Sequence, residues 1–238
     1  MTSTTTKSAF WRGFRDGAPF VLVVAPFAML FGVLATEAGL SVLETLLFSV
    51  AVVAGAAQFT ALQLLVENAP TAIILASALA VNLRMAMYSA SLTPHLGGTP
   101  LWQRAIAAYF LVDQSYACSI AQYEKDTRMT QAQKVAYFFG TVAPVCPMWY
   151  VFTLVGALVG NQIPPEWALD FAVPITFLAL TVPMLRTAAH VVAALVAIAV
   201  AIMANGMPFN LALIIAGVVG MMAGAQTELW LRARGRWI

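Results

Sequence analysis

Two ionisable side chains stand where hydrocarbon is expected. Arg84 sits in the middle of the apolar stretch "AVNLRMAMYSAS", and Asp113 in the middle of the next one, in "LVDQSYAC". A charge at the centre of a bilayer costs roughly 2.5–3.5 kcal/mol on insertion scales, so it needs a partner, a wet cavity or both. The short "HLGGTP" connection places the two segments side by side, and pairing Arg84 with Asp113 relieves much of both penalties. One reading of the pair is a structural contact that fixes helix register. The other is the floor of a polar cavity, which the neighbours favour. At helical spacing Arg84, Tyr88 and Ser91 share one face, while Asn82 points elsewhere and offers a second contact. On the following segment Asp113, Tyr116 and Ala117 form one stripe.

Further polar groups lie at similar depth. In "VAGAAQFTALQ", Gly55 and its flanking alanines make a thin, flexible stretch, and Gln58 adds an amide. Pro26, and Pro144 with Pro147 in "APVCP", are expected to interrupt backbone hydrogen bonding. Broken helices persist in membranes where the freed groups line a cavity, and transporters use them to hold small charged solutes. Any one of these residues alone reads as a kink or a close contact. Together with a mid-depth Arg, Asp, Asn and Gln they read as a binding cavity.

The elements that position them follow from composition. Of 238 residues, 61% are hydrophobic and 9% charged, against about 25% charged in soluble domains. An all-α, polytopic membrane protein is expected, in a single domain over 1–238, with 1–17 as an interfacial arm and 227–238 as a basic tail. Eight apolar segments run approximately over 18–36, 45–66, 71–93, 105–122, 135–159, 168–185, 187–204 and 210–226. The division near Arg186 is the weakest, so seven spans are the alternative. No small-residue cleavage site follows the first, so no removable signal peptide is expected. If all eight cross, one side collects Lys7, Arg12, Arg15, Lys125, Arg128, Lys134, Arg186, Arg232, Arg234 and Arg236, and the other only Arg104. The positive-inside rule then makes both termini cytoplasmic, although a re-entrant segment would change the parity. Pro26 with Pro147, and Gly39 with Gly160, stand at one common offset, as a duplicated half would place them. Gly156 and Gly160, and Gly220 and Gly224, form GxxxG pairs suited to close helix approach.

Other chemistries find no support. Cys118 and Cys146 have no Cys or His at metal-ligand spacing, and there is no phosphate loop, nucleophile elbow or HExxH. No enzyme, metal, cofactor or nucleic-acid partner is expected.

The runs "FRDGAPFVLVVAPFAMLFG", "AGAAQF", "VNLR" with "MYSASLTP", and "DQSYA" together resemble the AzlC family over roughly residues 10–226. The resemblance implies the large subunit of a branched-chain amino acid exporter in the cytoplasmic membrane. It also implies a small membrane subunit, AzlD, as partner, and proton-driven export of leucine, isoleucine, valine and methionine. Two positions depart from the family's pattern: Met85 stands where His is frequent, and Gln114 where an acidic residue is frequent. Both remove titratable groups and leave Asp113 as the expected proton carrier. Arg84, Asn82, Gln58, Gly55, Tyr88 and Ser91 are then the expected substrate contacts. The alternatives are an uncoupled channel or facilitator for small neutral solutes, and a scaffold supporting a partner's transport.

Overall fold

The computed structural model describes residues 5–160, 185, 187–204, 207 and 211–234. All of the sixth apolar segment, 168–185, except residue 185, with Asp170 in it, and the charges Arg186 and Arg236 lie outside the described residues. Every regular element among the described residues is helical. They fall into two compact units, one of Met1–Leu62 with Val81–Trp167 and one of Gln63–Ala80 with Ala168–Ile238.

The first unit begins with α1, Thr6–Gly17, capped by Thr5, whose hydroxyl accepts from the Ser8 amide at 3.2 Å. A single 3-10 turn, Ala18–Phe20, carries Pro19 and leads directly into α2, Val21–Glu37. The run Thr6–Glu37, like Thr71–Leu96 and Gln131–Gly160, is long and apolar enough to cross a membrane. Gly39 ends α2 at φ +92°, a conformation that costs glycine little, while the Leu40 amide donates to Ala35 O at 3.0 Å. Two residues later Ser41 and Glu44 form a reciprocal capping box that starts α3, Val42–Ala51. Then follow α4, Gly55–Val66, and α5, Thr71–Leu96, of which residues 63–66 and 71–80 belong to the second unit; α6, Leu101–Tyr109; α7, Asp113–Lys125; and α8, Gln131–Gly160.

Glycines set the spine of this unit. A methyl group on Gly13 would strike Tyr137 O, on Gly17 would come within 2.6 Å of Thr141 O, and on Gly32 would strike Thr153 O. From the other side, Gly140 abuts Phe10 O, Gly156 abuts Met29 O, and Gly160 lies against Val33. The paired numbers rise together, so the α1–α2 run and α8 lie parallel at backbone-to-backbone distance. This is the packing expected where lipid removes the usual hydrophobic drive and small residues let helices approach. It is also the use the Gly156–Gly160 pair has within the chain. Toward one end, the Tyr137 hydroxyl donates to Asp16 Oδ2 at 2.7 Å and Arg12 lies 3.8 Å from Asp126.

The second and fourth apolar segments were expected to cross. Instead each folds into a hairpin of two half-helices. Beside α6, Gly98 lies against Gln131, Gln103 and Ala107 meet Val135, Phe138 and Phe139, and the Tyr109 hydroxyl reaches that of Tyr150 at 3.3 Å. So α6 climbs alongside α8. Returning, α7 packs Val112 near Val145 and Trp149, and the Tyr123 hydroxyl donates to Lys134 O at 2.7 Å. Residues 98–103 and 123–126 therefore share one end of the unit with Gln131–Phe138. The α3–α4 pair mirrors this from the other end. Ser49 meets Thr153, Gly55 meets Phe27 and Trp149, and Phe59 turns back onto Phe31. The Tyr109 hydroxyl joins the two hairpins by donating to Val50 O at 2.7 Å.

Two expectations are corrected by this arrangement. Arg104 is not on the side opposite the other cations. Because α6–α7 turns back, Arg104 lies at the same end as Lys7, Arg12, Arg15, Lys125, Arg128 and Lys134, hereafter the basic end. Nor do the prolines break helices. Pro26 lies within α2 and Pro144 and Pro147 within α8, and both helices continue. A proline deletes one donor, but in an apolar setting the helix still satisfies more backbone groups than any alternative. The breaks come at Val52–Ala54 and Phe110–Val112 instead. Val52 (φ −127°, ψ 91°) and Val112 (φ −128°, ψ 165°) are β-branched residues in extended backbone.

In the second unit, α9, Ala188–Met203, packs antiparallel to α10, Leu211–Ala233. Gly220 sits against Ala193 and Ala197, and Gly224 against Ala193. The second GxxxG pair thus also serves a contact within the chain.

Candidate functional site

The α4 and α7 half-helices both begin inside the first unit, at the hairpin tips. At α7 the start is built locally. The Val112 amide donates to Ser115 Oγ at 3.0 Å, and Asp113 occupies the first helical turn, where the helix dipole favours an anion. The carboxylate faces α5. Arg84 Nη1 lies 3.1 Å from Asp113 Oδ2, with side chains 27% and 41% exposed.

This pair is incompletely satisfied. Arg84 Nε and Asp113 Oδ1 are each shielded from solvent and without a hydrogen-bond partner, as is Asn82 Oδ1. A buried polar atom left unpaired costs about 1–3 kcal/mol, so the ion pair keeps one spare donor and one spare acceptor, and Asn82 adds a second acceptor. Its wall is aromatic. Tyr88 and Tyr116 stack at 4.1 Å with ring planes 10° apart, and the Tyr116 hydroxyl meets Ser91 Oγ at 3.1 Å.

Of the residues expected from sequence, Arg84, Tyr88, Ser91 and Asp113 come together, with Tyr116 completing the group. Gln58 is buried elsewhere. Its amide Nε2 donates to Ser49 Oγ at 3.2 Å, Ser49 meets Thr153 Oγ1 at 3.3 Å, and Gln58 Oε1 stays unpaired. Gly55 sits where a methyl group would strike Phe27 and come within 2.7 Å of Trp149, so its immediate role is to let α4 pass beneath two rings. Sequence reasoning missed Tyr109 and Tyr150, which tie the hairpin tips. It also missed the Asp16–Tyr137 bond. A usable signal for the α7 start was "VDQS", a helix-initiating Asp and Ser inside an apolar run. No group of three or more metal-ligating side chains occurs among the described residues.

The family described as AzlC protein matches residues 19–163, more than half of the chain and all of the elements that build this site. The chain belongs to the AzlC family. It is 27% identical over 183 residues to the inner membrane protein YgaZ of Escherichia coli strain K12, covering 72% of this chain and 71% of YgaZ. An uncharacterized membrane protein of Archaeoglobus fulgidus is 29% identical over 190 residues, 78% of this chain and 80% of its own. A Helicobacter pylori membrane protein is 26% identical over 157 residues, covering 64% and 67%. No solved structure matches the chain. AzlC membership, membrane-protein relatives and, among the described residues, three membrane-length apolar helices support a membrane transporter.

Proposed function

We propose that this AzlC-family chain exports branched-chain amino acids, with methionine as a further substrate, and couples export to protons through Asp113. The observation that carries the proposal is the half-satisfied Arg84–Asp113 pair. An α-amino acid brings a carboxylate and an ammonium group on one carbon, and the pair presents a spare guanidinium donor beside a spare carboxylate oxygen. A zwitterion satisfies both, and the Tyr88–Tyr116 stack supports an apolar side chain. Deprotonated Asp113 and Arg84 together hold the zwitterion. A proton taken up by Asp113 from the acidic side displaces the ammonium group and returns the pair to its empty state, so proton and amino acid exchange rather than travel together.

The basic end is read as cytoplasmic, since it gathers every Lys and Arg of the first unit except Arg84. A small AzlD-like membrane subunit is the proposed partner. Leu83 and Met87, 63% and 65% exposed on α5, offer it an apolar surface.

Inverted membrane vesicles, with the cytoplasmic face outward, test this reading. With an acid-inside gradient they are expected to accumulate leucine, isoleucine, valine and methionine, but not glutamate. Accumulation indifferent to the gradient would support an uncoupled facilitator, and no accumulation would end the export reading.

A further inference from the structure

A second feature of the first unit lies outside the ion pair itself. Between α5 and α6, at the basic end, is a cavity of about 370 Å³. That is within the range of small-ligand sites. Leu92, Leu96 and Leu111 give it apolar walls, Ser89 and Thr93 add hydroxyls, and Arg104 stands on its α6 side. Arg104 takes part in no ion pair among the described residues. The Thr93 hydroxyl donates to Ser89 O at 2.9 Å, which leaves its oxygen free to accept.

Position gives the cavity meaning. Ser89, Leu92 and Leu96 follow the face of α5 next to the one bearing Arg84, Tyr88 and Ser91. Leu111, also part of the lining, is two residues from Asp113 at the hairpin turn. One cavity therefore runs from a cation at the basic end to Leu111, two residues along the chain from the acid of the ion pair. Had α6–α7 crossed the membrane, Arg104 and Arg128 would lie on opposite sides. The re-entrant fold brings Arg104 to the side from which an exporter loads.

We propose that this cavity is the cytoplasmic admission site, where Arg104 binds the carboxylate of an apolar amino acid before it moves to Arg84 and Asp113. This rests on the export reading above. The cation fits a carboxylate, the hydroxyls fit an ammonium group, and the leucines fit an aliphatic side chain. Both sites take the same solute, and only the second contains a group that changes charge with the transported proton.

The test is the Michaelis constant for leucine measured from each face, with full-length protein in inverted and in right-side-out vesicles. Arg104→Gln is expected to raise KM about tenfold from the cytoplasmic face, as loss of a charge-assisted hydrogen bond does, with the saturated rate within twofold. KM from the opposite face stays unchanged, and Arg104→Lys recovers most of the loss. Ala108→Phe, which fills the cavity, is expected to act in the same direction. An unchanged cytoplasmic-face KM in Arg104→Gln would overturn the proposal, and so would an equal rise from both faces. Phospholipid that co-purifies with the wild type and is displaced by Ala108→Phe, with KM unaltered, would assign the cavity to lipid instead. Wild-type vesicles that accumulate no leucine would defeat the export reading itself, and this proposal with it.

Discussion

Arg84 and Asp113 share one contact, Nη1 to Oδ2 at 3.1 Å, and each retains a shielded polar atom without a partner. A pair kept only for stability is expected to use both oxygens and the full guanidinium fork, since a bidentate pair gains more in a low-dielectric setting. The single contact therefore favours a pair that opens. Gly32 makes a different demand at the same scale. An added methyl there meets Thr153 O, Ala157 N and Gly156 C, all backbone atoms that cannot rotate away. Gly32→Ala is expected to cost about 1–3 kcal/mol, measured as a lower thermal midpoint in detergent. The Arg84 group was legible in the sequence, because a charge in an apolar run has few tolerable surroundings and helical spacing names its face-mates. Gln58 was not. Its partner Ser49, itself bonded to Thr153, meets it only because the chain turns back at Val52–Ala54, and spacing along one helix carries no information about that turn.

At the scale of elements, the two hairpins are the main departure from the expected fold. Hydropathy shows how long an apolar segment is. It does not show whether that length is spent crossing once or entering and returning. The signals for return were local: β-branched Val52 and Val112 in extended backbone, Gly55 after one turn, and Asp113 with Ser115 starting a helix after the other. The expected breaks at Pro26, Pro144 and Pro147 followed residue identity alone, and the α1–α2 and α8 runs continue through all three. Side-specific labelling checks the hairpin directly. In a chain with Cys118 and Cys146 replaced by Ala, Gly98→Cys and Arg128→Cys are expected to react with an impermeant maleimide from the same face. Leu43→Cys is expected to react from the other. Reaction of Gly98→Cys and Arg128→Cys from opposite faces would mean that α6–α7 crosses. Tyr109 holds the hairpin tips through Val50 O and Tyr150. Tyr109→Phe is expected to destabilise the protein by about 1 kcal/mol, read as a shift in the thermal midpoint, with a smaller shift for Tyr150→Phe.

For the whole molecule, parallel α1–α2 and α8 runs with three intervening segments make the described topology one of long crossings and central half-helices. Both half-helix N-termini, at Gly55 and Asp113, lie inside the first unit, as in transporters whose discontinuous helices frame a solute site. Charge follows the same plan. With Arg104 at the basic end, the first unit keeps no Lys or Arg at the other, so the re-entrant fold sharpens the asymmetry that the sequence displayed. The central claim is that the ion pair serves transport rather than folding alone. It is tested by leucine accumulation in inverted vesicles carrying wild type, Arg84→Gln, Asp113→Asn or both substitutions, with membrane protein level measured alongside. Each single variant is expected to fall below a tenth of wild-type transport. The double variant, which leaves no unpaired charge, regains wild-type protein level yet stays below a tenth. Wild-type transport by the double variant would contradict that claim.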